Sequence, residues 1–270
     1  MHRGLYTGAC GMLVQASHLD SIANNLANID TTGYKRDETL FKEFPKMPVH
    51  RLYDNYSWTP KGKLDQRPDV GWLGTGVGID GIVPIFTPGP TKQTGNNFDL
   101  AISGEGFFVI EAPWGEAYTR NGAFTISNDG YLVTQDGYKV LGEKGPIPVK
   151  EGNFFVSGEN GKVIYNEEGK TNDWKTAKEQ DKLRTVKFND VSGLKKKGNC
   201  FFEATPDSGI PEPMKKTKIL QGYIEGSNVS PVEELVKMIA VQRIYEACQK
   251  SIQAVDDTMK LSIEDVGRVA

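Results

Sequence analysis

Cysteine is scarce in this chain of 270 residues: Cys10, Cys200 and Cys248 are the only three, and they lie far apart. An odd, scattered set gives neither a disulfide framework nor a CxxC metal site, so each reads as a small apolar packer. Histidine is equally scarce, and His2, His18 and His50 stand in no HExxH or HxH spacing, which argues against a histidine metal centre. His18 falls on the polar side of its segment and reads as solvated. No stretch approaches the roughly 20 apolar residues that a helix needs to cross a bilayer. The opening MHRGLYTGACGMLVQ is interrupted by Gly4, Thr7 and Gly8, so no cleavable Sec-type leader is indicated. A basic excess is also missing. With a net charge of −3, the chain does not read as a nucleic-acid binder, which would need positive charge to offset phosphate. The run Lys195-Lys196-Lys197 sits beside glycines and reads as a solvated turn.

Catalytic patterns are absent too. Gly74-Thr75-Gly76-Val77-Gly78 lacks the buried strand before it and the helix after it that make a nucleotide loop, so a β-turn is expected. There is no GxSxG. Asp129 and Asp136 each precede a glycine, where aspartate serves a tight turn better than a carboxylate pair for hydrolysis. Asn228-Val229-Ser230 fits a glycosylation acceptor, but Ser230 serves better as a helix cap. Without a convergent set of reactive groups, the reading is that the chain is not an enzyme and holds no cofactor and no metal.

What the chain does have is heptads at its ends. Between Leu5 and Asn28 there is no proline. Leu5, Met12, Leu19 and Leu26 recur every seven residues, with Ala9, Ala16 and Ala23 four residues after the first three, a seam of large and small side chains. Thr31-Thr32-Gly33 is read as the end of this helix, with Gly33 in a turn that needs positive φ. At the other end, Ser230 is an N-cap candidate, Pro231 a first helical residue and Glu233 stands in capping-box register. Met238, Tyr245, Ile252 and Met259 then recur every seven residues, followed at +3 by Val241, Cys248 and Val255, to about Leu261. A helix cannot bury its own stripe, so the two pair within one chain or join a bundle of several chains. Periodicity alone favours the first.

The middle is β. With 30 glycines and 14 prolines, turns are frequent. Phe98–Glu111 alternates and then becomes an apolar run, with Gly104 and Gly106 marking a turn or bulge. Ala123–Ser127 and Tyr131–Thr134 flank Asn128-Asp129-Gly130, a hairpin signal, and Gln135-Asp136-Gly137 turns into Tyr138–Leu141. Further strands are expected at 147–149, 153–156, 162–165, 184–188 and 200–204. The fold class is α+β, mostly β, with paired coiled-coil-like terminal helices around a β-rich domain that is a sandwich or open barrel. The expected divisions are 1–44 (helix and signature), 45–72 (an extended arm rich in Pro, Tyr and Trp), 73–218 (β domain) and 219–270 (C-terminal helix).

Three blocks of the sequence carry a resemblance. Ile22-Ala23-Asn24-Asn25-Leu26-Ala27-Asn28 with Thr31-Thr32-Gly33-Tyr34-Lys35-Arg36 resembles the N-terminal signature of the bacterial flagellar rod and hook proteins. FDLAISGEGFFVI, with Gly104, Gly106 and Phe107, and YTRNGAFTISNDGYLVTQDGYKVLG, with Asn121 and Gly122, resemble the central β signature of the same family. QGYIEGSNVSPVEELVKMIAVQRIYEACQKSI, with Asn228 and Val229, resembles its C-terminal block. Glu225–Val229 and Ser251–Asp256 look more like the proximal-rod branch, whereas Gln242-Arg243-x-Tyr245-Glu246 is shared with the distal-rod branch.

The resemblance implies a structural subunit of the basal-body rod, located in a rod that spans the periplasm and exported unfolded by the flagellar type III apparatus without a cleaved signal peptide. It implies self and other rod proteins as partners, with no nucleic acid and no lipid anchor. The terminal seams would then pack between chains, be unordered before assembly, and transmit torque after it. A distal-rod subunit, a rod-associated cap or adaptor, and a glycan hydrolase clearing peptidoglycan stand as the alternatives.

Overall fold

A computed structural model describes residues 3–52, 56–59, 62–65, 67–149, 154–158, 161–165, 178–198, 200–214 and 217–267. His2, and the first residue of the strand expected at 153–156, lie outside them. The fold is α+β: helix α1 (Arg3–Ala27), helix α2 (Pro231–Gly267) and strands between. It divides into two units, residues 1–23, 38–83 and 232–270 in the first, and 24–37 and 84–231 in the second. The divisions read from sequence differ from these. Residues 38–83 cluster with helical residues, and the β unit begins at residue 84, with 24–37 added to it.

In the first unit the helices lie antiparallel. A Cβ added to Gly4, Gly8 or Gly11 would meet Val255 at 3.6 Å, Ile252 at 2.8 Å and Cys248 at 3.2 Å, so partner numbers fall along α2 as they rise along α1. A glycine inside a helix costs about 1 kcal/mol relative to alanine. Here the missing side chains let Ile252 and Cys248 seat against the α1 backbone. Val14, Ser21 and Ile22 are the buried residues of α1 in this unit, whereas Leu5, Met12 and Leu19 are half-buried and Ala16 and Ala23 exposed. The stripe is therefore rotated from the heptad read from sequence, because glycines contribute contact without contributing hydrophobicity. Two ends also move: α1 stops at Ala27, before Thr31-Thr32-Gly33, and α2 runs past Leu261 to Gly267.

The expected arm is a ribbon. Met47–His50 pairs antiparallel with Asp69–Leu73, and Tyr56–Thr59 with Gly62–Asp65, nested within a pairing of Asp37–Glu43 with Val77–Pro84. Gly74–Gly76 links two of these strands and Val77 and Gly78 begin the second, so the β-turn expected there is not formed; the Phe44 ring lies against Gly76 and Gly78. Phe41, Met47, Val70, Trp72 and Ile82 are all exposed, since a two-stranded ribbon has no second layer to bury them.

The second unit is built around Phe107–Ala112, which pairs with Gly115–Thr119, Lys139–Val140 and Thr185–Lys187 in a nine-stranded sheet. Phe108, Ile110 and Ala112 point into one core with Leu100, Phe124, Leu132 and Ile219, whereas Phe107 and Val109 point into another with Tyr118, Phe188 and Phe202. Both faces are covered, which is why this strand reads as an apolar run rather than an alternation. Gly130 (φ 78°) and Gly137 (φ 85°) turn the hairpins between Phe124–Ile126, Leu132–Thr134 and Lys139–Val140. Lys195–Lys197 is a strand paired with Phe201–Glu203, not a turn. Residues 147–149 form only the bridge of Pro148 to Tyr131.

Filling the glycine contact tests the helix pair. Gly8→Leu is expected to destabilise the pair by about 1–3 kcal/mol through overpacking against Ile252, read as faster tryptic cleavage at Arg243 and Lys250 with the β unit still resistant. An unchanged cleavage rate would mean that no close contact exists at Gly8.

Candidate functional site

The chemistry-bearing side chains concentrate in a buried polar clasp of the second unit. Strand Lys218–Gln221 pairs with Leu100–Ser103, Gly222 turns the chain, and Tyr223–Glu225 pairs with Thr91–Gln93. This ladder delivers the Glu225 carboxylate to the interior, where it is 2% exposed. Its Oε1 takes the Lys35 Nζ at 2.6 Å and the Gly89 N–H at 3.0 Å, and its Oε2 takes the Arg120 Nη1 at 3.2 Å. Lys35 Nζ also donates to the Thr87 carbonyl at 2.9 Å, and Arg120 Nη2 to the Gly104 carbonyl at 2.7 Å. Two cations thus face one carboxylate, all nearly sealed from water. Burial lowers the pKa of Lys35 and of Arg120, and Glu225 pulls both the other way.

Asparagines extend the clasp. Asn25 Nδ2 donates to the Asp37 carbonyl at 2.9 Å while its Oδ1 accepts the Asp37 N–H at 2.8 Å, and the Tyr34 hydroxyl lies 2.9 Å from Asn24 Oδ1 and 3.1 Å from Asn25 Oδ1. Asn228 accepts the Arg36 N–H at 2.7 Å and donates to the Ile85 carbonyl at 2.7 Å. Thr32 donates to Asn121 Oδ1 at 2.7 Å, and Asn28 Nδ2 reaches back to the Asn24 carbonyl at 2.9 Å. Gly33 donates its N–H to the Glu225 carbonyl at 2.8 Å and takes φ 68°, and a Cβ there would run into the Asn121 backbone. A Cβ on Gly122 would likewise run into the Leu100 carbonyl. Val229 packs with Tyr34 and Cys200. Burial pushes the Cys200 thiol up to about 11, so it stays protonated. Gly106 abuts Met214, Phe107 belongs to the core, and Leu26 is half-buried.

Lys196, in the run read as a turn, lies in this clasp: its Nζ pairs with Asp37 Oδ2 at 2.8 Å and sits 4.1 Å from the Tyr34 ring centroid. Sequence reasoning also passed over Arg120 and Glu225. No local signal marks either one, since YTRNGAF and YIEGSNV are polar, glycine-containing stretches in which one charged residue does not stand out.

In the first unit, Met238, Val241, Tyr245, Cys248, Ile252, Val255 and Met259 are the covered residues of α2 after Glu234, with exposed residues between them. Cys248, Ile252 and Val255 meet glycines of their own chain, so this part of the stripe is closed within the molecule. Among the described residues, the large apolar side chains left uncovered are Tyr6 and Leu13 on α1, and Val232, Leu235, Val236, Ile239, Ile244, Leu261 and Ile263 on α2. Two open grooves run along the pair, of about 640 Å³ beside Gly8 and Ala247 and about 600 Å³ beside Leu5, Tyr6, Met259 and Ile263. His18 is half-buried rather than solvated, its ring 5.3 Å from that of Phe41. Its pKa is lowered from 6.5 by burial first and by Lys237 second, against the opposing pull of Glu234 and Glu38.

Three family models match in chain order: Flagella basal body rod protein over residues 5–35, Flagellar hook protein FlgE/F/G D1 domain over 101–171, and Flagellar basal body rod FlgEFG protein C-terminal over 220–264. The flagellar basal-body rod protein FlgF of Caulobacter vibrioides is 32% identical, covering 100% of both chains. The chain belongs to the flagellar basal-body rod and hook protein family. The flagellar basal-body rod protein FlgG of Borreliella burgdorferi is 34% identical over 97% of this chain and 98% of its own, and the flagellar hook-basal body complex protein FlhO of Bacillus subtilis 30% over 100% of both. The rod protein's clasp is assembled from segments within or beside all three matched regions, since Asn25 and Lys35 lie in the first, Gly104 and Arg120 in the second, and Glu225 and Asn228 in the third.

Two outcomes follow for this rod protein. Glu225→Gln leaves Lys35 and Arg120 buried without their counter-charge, and is expected to cost about 3–5 kcal/mol in urea unfolding of the β unit. A loss no larger than the roughly 1 kcal/mol of a surface pair would contradict the sealed geometry. Because folded His18 has a pKa below 6.5, the unfolded chain takes up the proton first as pH falls. Helix-pair stability is therefore expected to decline through about pH 6.5 and below until folded His18 itself protonates, and His18→Phe to flatten that decline. An unaltered pH profile in the variant would rule His18 out as its origin.

Proposed function

We propose that this structural subunit of the flagellar basal-body rod occupies the proximal rod, leaves the cell through the flagellar type III apparatus, and works by polymerisation, without catalysis, to transmit torque. The observation that carries this reading is the uncovered apolar face of the helix pair. Leu13 is 71% exposed and Leu261 59%, and both lie on helices whose opposite stripes are already closed. Exposed apolar residues in such number mark interaction surfaces. The grooves beside Gly8 and Met259 suit side chains from neighbouring helices. Contacts between unlike faces that fail to close into a ring extend into a filament, and many in parallel bear load that no single contact could. The neighbours in this reading are copies of this chain and adjacent rod subunits.

Glu225–Val229 and Ser251–Asp256 favour the proximal position. A distal position is the second reading, favoured by the shared Gln242-Arg243-x-Tyr245-Glu246 and by 34% identity to the Borreliella burgdorferi FlgG protein.

Leu13→Asp and Leu261→Asp test the assembly face without touching the closed stripe. Each variant is expected to keep the circular dichroism and thermal transition of the parent, to be exported, and to be missing from purified basal bodies, with motility lost. Normal incorporation of both variants would sink this reading, whichever rod position is correct.

A further inference from the structure

A cleft of about 610 Å³ opens on the β unit, lined by Trp114, Tyr138, Asn121, Gln135, Asp136 and Lys197 among others. Its volume falls within the roughly 300–1,000 Å³ of small-ligand sites. Trp114 is 39% exposed, yet its ring is held in place. The Tyr138 ring meets it edge-on at 5.5 Å and 73°, and Tyr138 is in turn edge-on to buried Phe201 at 5.4 Å and 78°. Lys197 Nζ stands 5.3 Å from the Trp114 centroid and is tied to Glu203 at 3.0 Å. A large apolar ring kept both wet and rigid at a cleft mouth is a platform waiting for a partner, because solvating it brings no stability to the fold.

The polar groups around it are free in a specific way. Asn121 spends its carboxamide oxygen on Thr32 and on the Ala123 N–H, which directs its amide NH2 elsewhere, with no partner among the described residues. Gln135 and Asp136 make no hydrogen bond or ion pair among the described residues. The cleft therefore offers an NH2 donor, an amide of both kinds and a carboxylate acceptor beside an aromatic face. Its cation, Lys197, is already neutralised by Glu203, and Asp136 adds negative charge, which disfavours a phosphate or nucleic-acid ligand. A ligand that satisfies all of this is uncharged, with a C–H face for the ring and an edge rich in hydroxyl and amide groups.

We propose that this cleft binds an N-acetylated hexose glycan, a sugar ring stacking on Trp114 while its hydroxyl and acetamido groups bond Asp136, Gln135 and the Asn121 amide. The ring's electron-rich face attracts the polarised C–H groups of a pyranose. The Asp136 carboxylate accepts from sugar hydroxyls in the stronger, charge-assisted manner. Neither the helix pair nor the rod position enters this argument, so it stands or falls apart from the assembly reading.

The test is titration of the purified full chain with an N-acetylglucosamine oligomer, followed by NMR at the indole N–H signals of its four tryptophans. The signal that disappears in Trp114→Phe is expected to move saturably while the others stay. Trp114→Ala and Asp136→Ala are each expected to weaken binding about tenfold or more, as loss of a central aromatic or charged contact does, and Trp72→Ala to leave it unchanged. Asp136 is an exposed turn residue, so its variant keeps the test open if Trp114→Ala misfolds. No saturable shift, or one that survives both cleft variants, would overturn the proposal. So would a shift produced by a peptide of residues 3–27 and not by the sugar, which would assign the cleft to protein instead.

Discussion

The Glu225 carboxylate is the constraint on which the β unit turns. A buried carboxylate is tolerable only with its charge matched and its lone pairs filled, and removing a partner is more costly than never having built the site. Here the partners come from far along the chain: Lys35 is 190 residues away and Arg120 is 105. The pairing is complete only when the segment after α1, the central sheet and the strand before α2 are all in place. The surrounding asparagines repeat that logic with neutral groups. Asn25 closes a two-bond ring with Asp37, and Asn228 joins Arg36 to Ile85. Each of these amides is satisfied in one arrangement, so the clasp contributes definition of geometry more than net stability.

The two units handle apolar surface differently. In the β unit, Phe107–Ala112 is covered on both faces and the cores close. In the helical unit, closure stops at one stripe, where Gly4, Gly8 and Gly11 admit Val255, Ile252 and Cys248. The opposite helix faces and the ribbon keep Leu13, Leu261, Phe41 and Trp72 in water. A helix pair closed on one face and left open on the other has the form expected of a subunit whose remaining burial is supplied by neighbours.

Much of this was legible in the sequence, and what was not has a physical reason. The spacing of Met238 through Met259 coincides with the covered stripe of α2, because that helix packs through side chains whose hydrophobicity is visible. The α1 stripe was misplaced because glycines pack by having nothing to show. The hairpins at Gly130 and Gly137 were readable because turn chemistry is local. The ribbon within 45–72 was not, since a strand exposed on both faces has no alternation to read. Three identical lysines hid the alternation of strand Lys195–Lys197, in which Lys196 turns inward to Asp37. The clasp could be noticed as a family pattern in Asn24, Asn25, Tyr34, Lys35, Asn121 and Asn228. Its centre at Glu225 could not, because an ion pair across 190 residues leaves no local trace.

Native-state hydrogen exchange tests the central claim, that the clasp makes residues 24–37 and the strand carrying Glu225 one cooperative structure with the β core. The amides to follow are Gly33, bonded to the Glu225 carbonyl, Arg36, bonded to Asn228, and Gly89, bonded to the Glu225 carboxylate. The reference is Val109 in the central strand, whose N–H is bonded to the Arg184 carbonyl. All four are expected to exchange only through the same global opening, with matching free energies and a matching dependence on denaturant. Exchange of Gly33, Arg36 and Gly89 through a local opening well below that of Val109 would contradict that claim, and would make the clasp an ornament on an independently folded sheet.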